Sequence, residues 1–409
     1  MADRVAIVGA GWAGLACAVE LADAGCQVEV FEAARTLGGR ARAVEIDGLR
    51  LDNGAHLLVG AYTETLRLMQ KVDVGETALK RIPLHLEYPG HVRIVAPQLP
   101  APLHLVWALL AARGLSLKEK FAAVRFMRAL KKCRYRLPRD ITAKQLIANQ
   151  PPRVRRFLWE PLCLAALNTP VAQASAQVFL NVLRDTLAAG RAASDLLLPA
   201  SDLAALFPEP AARFVAARGG KVHRSRRIRS LDELTDFEHR VVAVAPQHLA
   251  ALVPDIAAGL DFTWQPIATC YLRYPENCRL PFPMVGSAQG CAQWLFDRGA
   301  LCGQDGLVAA VVSGAGSWQA LGHARLARAI HAEIARLVPG LPPPVWTRVI
   351  EEKRATFCCT PGLARPGPAA SIPGVWLAGD YVASDYPATL EGAVRSGVDA
   401  ARRIIRSET

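Results

Sequence analysis

Apolar positions along this 409-residue chain fall into short strand-like runs near its two ends and into helical spacing through its middle. The first run, Val5, Ile7 and Val8, is β-branched and breaks at Gly9-Ala10-Gly11-Trp12-Ala13-Gly14. An Ala/Leu-rich helical stretch runs to Ala24, Gly25 turns the chain, and Val28 to Phe31 forms a second strand ending in Glu32. Ala43 to Leu58 reads as a strand pair turning at Asp47-Gly48. Ala61 to Val72 has helical spacing (Tyr62, Leu66, Met69), with Thr63 as its cap. Residues 81–97 read as short strands punctuated by Pro83, Pro89 and Pro97. From about 103 to 190 the pattern is mostly helical, with breaks at Pro138, Pro151-Pro152, Pro161 and Pro170. Pro199 to Ala217 leads back to two strands, at Gly219 to His223 and at Val241 to Val244. Residues 264–274 and 307–313 alternate like strands of a second sheet. Ala324 to Val338 is an amphipathic helix. Val375 to Ala378 is a short strand that delivers Gly379-Asp380, and a last helix runs to about Ile405.

Strand, glycine loop, helix, strand and acid together make a dinucleotide unit, with Glu32 placed 18 residues after Gly14. Gly9 suits the tight turn, Gly11 the close approach of backbone to a diphosphate, and Gly14 the packing of helix on strand. The helix start at Ala10, Trp12 and Ala13 offers free N–H groups to the diphosphate, and Glu32, with Ala33 and Arg35 beyond it, suits the adenosine end. A second glycine pair, Gly38-Gly39-Arg40, and the turn Asn53-Gly54-Ala55-His56 point to a flavin dinucleotide, with Arg40 as a counter-charge. Val222 is expected near the adenine. Gly379 lets the backbone approach the cofactor, Asp380 can bind a ribityl hydroxyl, and the helix opening at Thr389, Leu390, Glu391 and Ala393 aims its N–H groups at the flavin.

The expected fold is therefore α/β. A Rossmann-like FAD-binding domain spans 1–80, 205–260 and 355–409. An inserted α+β substrate-binding domain, with a mixed sheet and a helical region, spans 81–204 and 261–354.

A chain that is 52% hydrophobic can bury a large core, and 21% charged residues argues against global disorder. Ten cysteines include no CxxC pair, and adjacent Cys358-Cys359 suits neither a metal clasp nor a disulfide. Reduced thiols, no metal and a cytoplasmic location are expected. Met1-Ala2-Asp3 leads straight into the first strand, so no signal peptide is expected. No apolar run approaches the ~18–20 residues of a spanning helix. The net charge of +12 is uneven: Lys118 to Arg139 holds nine basic residues against Glu119 alone, and Arg213 to Arg229 holds seven and no acid. Sparse aromatics and the lack of a nucleic-acid motif argue against nucleic acid as the partner. An anionic membrane surface suits better, because the apolar stretch Pro102 to Ala112, with Trp107, sits just upstream. Residues 102–139 read either as such a peripheral anchor, on the inner face of the cytoplasmic membrane, or as core helices with a solvated basic face.

The segments G-A-G-W-A-G-L-A, E-A-A-R-T-L-G-G-R, L-D-N-G-A-H and W-L-A-G-D-Y…P-A-T-L-E-G-A-V-R-S-G resemble the FAD-dependent amine oxidase/phytoene desaturase superfamily. N-G-A-H-L-L-V-G-A-Y-T-E-T-L, W-E-P-L-C-L-A-A-L-N-T-P and S-D-L-L-L-P-A-S-D-L-A-A-L-F-P-E-P-A are similar to the squalene-associated flavoproteins, the family of hydroxysqualene dehydroxylases in hopanoid biosynthesis. That resemblance implies FAD, a C30 isoprenoid alcohol, and a link to the squalene-forming synthases. It implies the reaction of hydroxysqualene and reduced flavin to squalene, water and oxidised flavin. Such chemistry needs a proton donor at the allylic hydroxyl, a hydride donor, and a dry apolar tunnel. His56, Asp385 and Tyr386 are the candidate catalytic residues, each with a structural alternative as a satisfied histidine or loop anchor; Leu164 and Asn168 are the candidate pocket residues. A carotenoid-type desaturase is the rival within the fold. An amine oxidase is disfavoured, because such enzymes bring a Lys to the flavin and residues 267–274 hold none. A non-catalytic flavin or lipid carrier is the alternative from another class.

Overall fold

Alternate residues of the first strand serve two different cores. The computed structural model describes residues 3–407, so Met1 and Ala2, which carry the reading of the N-terminus, lie outside it. Val5 and Ile7 of strand β1 (Arg4–Val8) pack beneath helix α1 (Trp12–Asp23) with Leu15 and Val19, while Ala6 and Val8 face the opposite core. That division follows from side chains alternating across a strand. It requires both faces of the sheet to be covered, as parallel sheets are. The sheet has five parallel strands in the order Lys221–His223, β2 (Gln27–Phe31), β1, His239–Val242 and Val375–Leu377. The C-terminal helix Leu390–Ser407 joins α1 on one face, with Val394 and Val398 in the shared core.

A second, antiparallel sheet has the order Met284–Gly286, Trp294–Asp297, Leu307–Ser313, Trp264–Arg273 and Trp346–Phe357. Helix His323–Leu337 covers Ala268, Cys270 and Leu272 on one face with Leu326, Ile330 and Ile334. The other face (Tyr271, Trp294, Phe296, Val311) packs toward the helical region. Strands expected to alternate are thus buried almost continuously, because neither face meets water. Strand Trp346–Phe357 also runs through the expected domain boundary at residue 354.

The helical region contains α3 (Leu103–Leu110) and α4 (Leu117–Lys132), and then helices Glu160–Leu167 and Ala176–Leu183. Pro161 does not break it. The chain stays helical from Pro152 to Leu167, and the wide π-turn Arg155–Trp159 just before Pro161 accommodates the missing N–H. Thr63 is not the cap of α2 (Thr63–Lys71) but its first residue. Its hydroxyl accepts from Arg395 at 2.7 Å. The buried Glu391 carboxylate takes the first-turn N–H groups of Glu64 and Thr65, at 3.1 and 3.0 Å. A carboxylate from the C-terminal helix thus does the capping.

Among the described residues, no helix is long and apolar enough to cross a membrane, and no acid, histidine and cysteine groups gather as a metal site. Cys17, Cys163, Cys270, Cys358 and Cys359 are buried free thiols, whereas Cys133 is exposed.

Candidate active site

A cavity of about 960 Å³ is lined by residues from both sheets. Its first arm lies past the carboxyl ends of the parallel strands, where Gly9, Glu32, Ala243 and Gly379 follow four of them. Open α/β sheets bind ligands there. Gly9 turns the chain with φ +109°, and a Cβ on it would meet Ala243 O at 2.6 Å. A Cβ on Gly14 would meet Gly9 O at 2.0 Å, so Gly14 packs the helix onto the loop and does not line the cavity. Gly11 is different. It faces the cavity, and the nearest atom to a Cβ there is Gly39 Cα at 4.0 Å.

The two glycine segments are tied together by Gly38 N donating to Ala10 O (2.9 Å) and Trp12 Nε1 donating to Ala41 O (2.9 Å). Gly11, Trp12, Ala13, Gly38, Gly39 and Arg40 line this arm, and no side chain caps α1. Ala10 stands behind the lining; its N–H and that of Ala34 hold the Glu32 carboxylate at 2.8 Å each. Glu32 and Ala33 line the arm, whereas Arg35 is exposed outside it. Val222 pairs with Val30 and packs against the core under α1; the lining near Glu32 comes from Arg226, Arg227, Ile228 and Arg229.

In the middle of the cavity Arg40 is pinned rather than free. Its guanidinium donates to Asp380 Oδ1 and to Ala355 O, each at 2.7 Å. Asn53 Nδ2 donates to Arg40 O at 3.2 Å, and Asn53, Gly54, Ala55 and His56 all line the wall. Gly379 donates its N–H to Ser396 Oγ. Thr389, Leu390 and Ala393 line the cavity, and Thr389 Oγ1 caps the helix by accepting from Gly392 N at 3.1 Å. Glu391 is fully buried outside the cavity, bound to Thr65 and Arg395. Its acid charge serves α2.

His56 Nδ1 donates to Gly54 O at 2.7 Å, which leaves Nε2 as the acceptor of a neutral ring. Burial holds its pKa below the ordinary histidine value, so the imidazole stays neutral near pH 7. Tyr386 lines the cavity and donates its hydroxyl to Asp185 Oδ2 at 2.8 Å, while Asp185 also receives Arg184 Nε at 2.7 Å. Burial, with the Asp185 hydrogen bond, pushes the Tyr386 phenol well above its ordinary pKa. The Asp385 side chain is exposed, and its carbonyl accepts from Asn181 at 3.1 Å, so it anchors the loop away from the lining. Asn168 lines the cavity and also ends helix Glu160–Leu167 in the left-handed conformation. It donates to Thr356 Oγ1 (3.0 Å) and accepts from Gly314 N (2.8 Å). Leu164 is half-buried behind the lining; Leu162, Ala165 and Ala166 of the same helix form it. The remaining arm is apolar, walled by Leu86, Phe179, Leu183, Met284, Trp294 and Phe296.

The family model described as "Flavin containing amine oxidoreductase" matches residues 12–405. The chain belongs to that family. FAD is the cofactor of this flavin-containing amine oxidoreductase, and the chain is an FAD-dependent oxidoreductase enzyme. It is 29% identical to the hydroxysqualene dehydroxylase of Rhodopseudomonas palustris, covering 99% of each chain. It is 28% identical to that of Sinorhizobium fredii, covering 98% of each. A zeta-carotene desaturase from Synechocystis is 50% identical over 70 residues, 17% of this chain and 14% of its own. The solved cyclohexylamine oxidase of Brevibacterium oxydans covers 100% of both chains with a TM-score of 0.67 at 18% identity, a likeness of fold.

The first arm fits FAD on its own terms. The uncapped start of α1 and the bare face of Gly11 leave a groove without side chains, closed at one end by a fixed carboxylate. Two groups of this oxidoreductase's lining escaped the sequence reading. Asp185 was hidden in a helical run, its tie to Tyr386 spanning 201 positions. Arg226 to Arg229 were visible only as part of a basic run, and positive φ at Ser225 turns them into the cavity.

Proposed function

We propose that this enzyme catalyses the reductive dehydroxylation of hydroxysqualene to squalene. The observation that carries the reading is the cavity itself. One end is a nucleotide groove, and the other is a long apolar arm; a half-buried hydroxyl–carboxylate pair, Tyr386–Asp185, lies on the cavity wall. Full-length likeness to two hydroxysqualene dehydroxylases supports it. When bound and reduced, FAD supplies the hydride.

The chain's own residues supply the rest. Leu162, Phe179, Leu183 and Trp294 exclude water from the carbon that loses its hydroxyl, as an allylic cation requires. Tyr386 stays a neutral phenol because of its surroundings and gives a proton to the departing hydroxyl, the lost proton being replaced from solvent, while Asp185 accepts the Tyr386 hydrogen bond and fixes the ring. Arg184, about one-third exposed at 36%, pairs with that carboxylate at 2.7 Å and holds it in place. His56, neutral with an open Nε2, acts as an acceptor rather than an acid. Asn168 fixes the helix end against the paired strands Trp264–Arg273 and Trp346–Phe357. Atoms balance as one alcohol oxygen leaves as water with a proton, and one hydride takes its place.

The runner-up is a carotenoid-type desaturase, favoured by the local likeness to zeta-carotene desaturase. The two differ in the direction of electron flow. Reduced, FAD-loaded protein given hydroxysqualene, and oxidised protein given a polyene isoprenoid, are assayed side by side for products. Squalene from the first and no new double bond in the second is expected; the reverse pattern replaces dehydroxylation with desaturation.

A further inference from the structure

The outer faces of α3 and α4 carry large apolar side chains that the fold leaves bare. On α3, Leu103 (56% exposed), Trp107 (57%) and Leu110 (38%) recur on one stripe, while His104, Ala108 and Leu109 fill the inner face. On α4, Leu117 (68%) and Phe121 (62%) begin a stripe that continues as Arg125, Arg128 and Lys132, all exposed. Lys120 Nζ donates to Leu110 O at 2.8 Å, so the start of α4 lies against the end of α3 and the apolar side chains form one patch. A soluble surface does not expose such a cluster without a use.

The charge beside it is also unspent. Glu119, the lone acid in the run, is held in the capping box with Ser116. Among the described residues, Arg125, Arg128, Lys131 and Lys132 have no hydrogen-bond or ion-pair partner from their side chains. The other basic run is placed differently: Arg218 pairs with Asp23, Lys221 with Glu29 and Arg224 with Glu209, while Arg226, Arg227 and Arg229 line the cavity. Apolar groups beside unpaired cations on one face match a phospholipid surface with anionic headgroups and do not match a nucleic-acid backbone.

The patch is also close to the cavity. On the inner face of α3, buried His104 Nε2 lies 3.3 Å from Ser194 Oγ, and Ser194 lines the cavity. We infer that Leu103, Trp107, Leu110, Leu117 and Phe121 dock this protein on an anionic lipid surface, with Arg125, Arg128 and Lys132 on the headgroups. The apolar arm then lies directly above the bilayer. This goes beyond the reaction proposed above and does not depend on which long apolar substrate fills the arm.

FAD-loaded protein is floated with vesicles of phosphatidylcholine plus phosphatidylglycerol, and of phosphatidylcholine alone, at low and high salt. Binding to the mixed vesicles is expected, weaker by at least about tenfold on phosphatidylcholine alone or in high salt. Trp107→Glu with Phe121→Glu, and separately Arg125→Glu with Arg128→Glu, each lower it by at least about tenfold. The flavin absorbance of both doubles stays that of the parent, which shows that they fold. Failure to float with any vesicle overturns the inference, as does equal flotation of the doubles. A salt-stable dimer lost in Trp107→Glu/Phe121→Glu without vesicle binding assigns the patch to a second copy instead. Binding to duplex DNA without vesicle binding assigns it to nucleic acid; either result overturns the lipid surface.

Discussion

The two arms of the cavity are built in opposite ways. The nucleotide arm is made largely of backbone: Gly9, Gly11, Gly38, Gly39 and Gly379 bring main chain to the ligand, with Glu32 held by the N–H groups of Ala10 and Ala34 and Arg40 held by Asp380 and Ala355. The apolar arm is made of side chains from the helices Glu160–Leu167 and Ala176–Leu183, from the antiparallel sheet and from Leu86 of strand His85–Tyr88, held apart from water by packing. A backbone-built site tolerates almost no change of residue, whereas a side-chain-built site can change its shape while keeping its character. The difference teaches where cofactor identity resides and where substrate choice resides.

The largest effect is expected behind the cavity wall, where the segment that precedes Asn53 is tied to the second sheet's side of the molecule. Asp52 and Arg298 form a buried pair, 3% and 7% exposed, that ties strand Leu49–Asp52 at 2.8 Å to the helix Arg298–Cys302, which follows strand Trp294–Asp297 of the second sheet. Asp52→Ala strands the guanidinium and removes the acceptor of Leu203 N, at a cost of about 3–5 kcal/mol. Denaturant midpoints measure it; a loss below about 1 kcal/mol means that the arms do not depend on that joint.

Next come the substitutions that separate the two functions. Gly11→Val finds free space within the protein but fills the groove, so FAD content falls at least about tenfold while the apo-protein melts as the parent does. Gly14→Ala meets Gly9 O and unfolds the unit. If Gly11→Val keeps its flavin, the groove is not where the diphosphate lies. Tyr386→Phe leaves the flavin in place and lowers turnover by about 10²–10⁴-fold, and Asp185→Asn lowers it in the same direction. Ala166→Phe fills the apolar arm, raises KM, and leaves the flavin spectrum intact; an unchanged KM removes that wall from the substrate path.

The smallest effect concerns pH. Burial lowers the pKa of His56, His104 and His248 in the folded chain. Groups with depressed folded pKa values bind protons more readily when unfolded. Stability is therefore fully present above the ordinary histidine pKa of about 6.5 and is lost as pH falls below it. Melting temperatures from pH 8 to about 5 check the direction, and His104→Gln flattens the fall.

What was legible followed the same division. Gly9 to Gly14, Glu32, Gly38-Gly39 and Gly379-Asp380 announce themselves because backbone contact demands glycine and short strands at fixed spacing. All but Gly14 of these loop glycines line the cavity. Glu391 shares a segment with cavity-lining Leu390 and Ala393, yet one helical position turns it onto α2, a direction that local sequence does not reveal. Val222 fell to strand alternation: it faces the helices, and the ligand side is taken by Arg226 to Arg229 beyond a turn. Leu164 fell to helical phase in the same way. Asp185 was illegible because its meaning depends on a partner brought to it by the whole fold. Trp107 and its basic neighbours were readable from sequence as a pattern, but only the structure shows which faces stay bare.

The central claim is that one cavity brings the cofactor and a long apolar alcohol together. Stopped-flow spectroscopy of anaerobically reduced protein mixed with hydroxysqualene tests it most directly. Single-turnover return of the oxidised flavin spectrum is expected, with one squalene formed per flavin, slowed in Tyr386→Phe. A flavin that stays reduced with no squalene formed contradicts it.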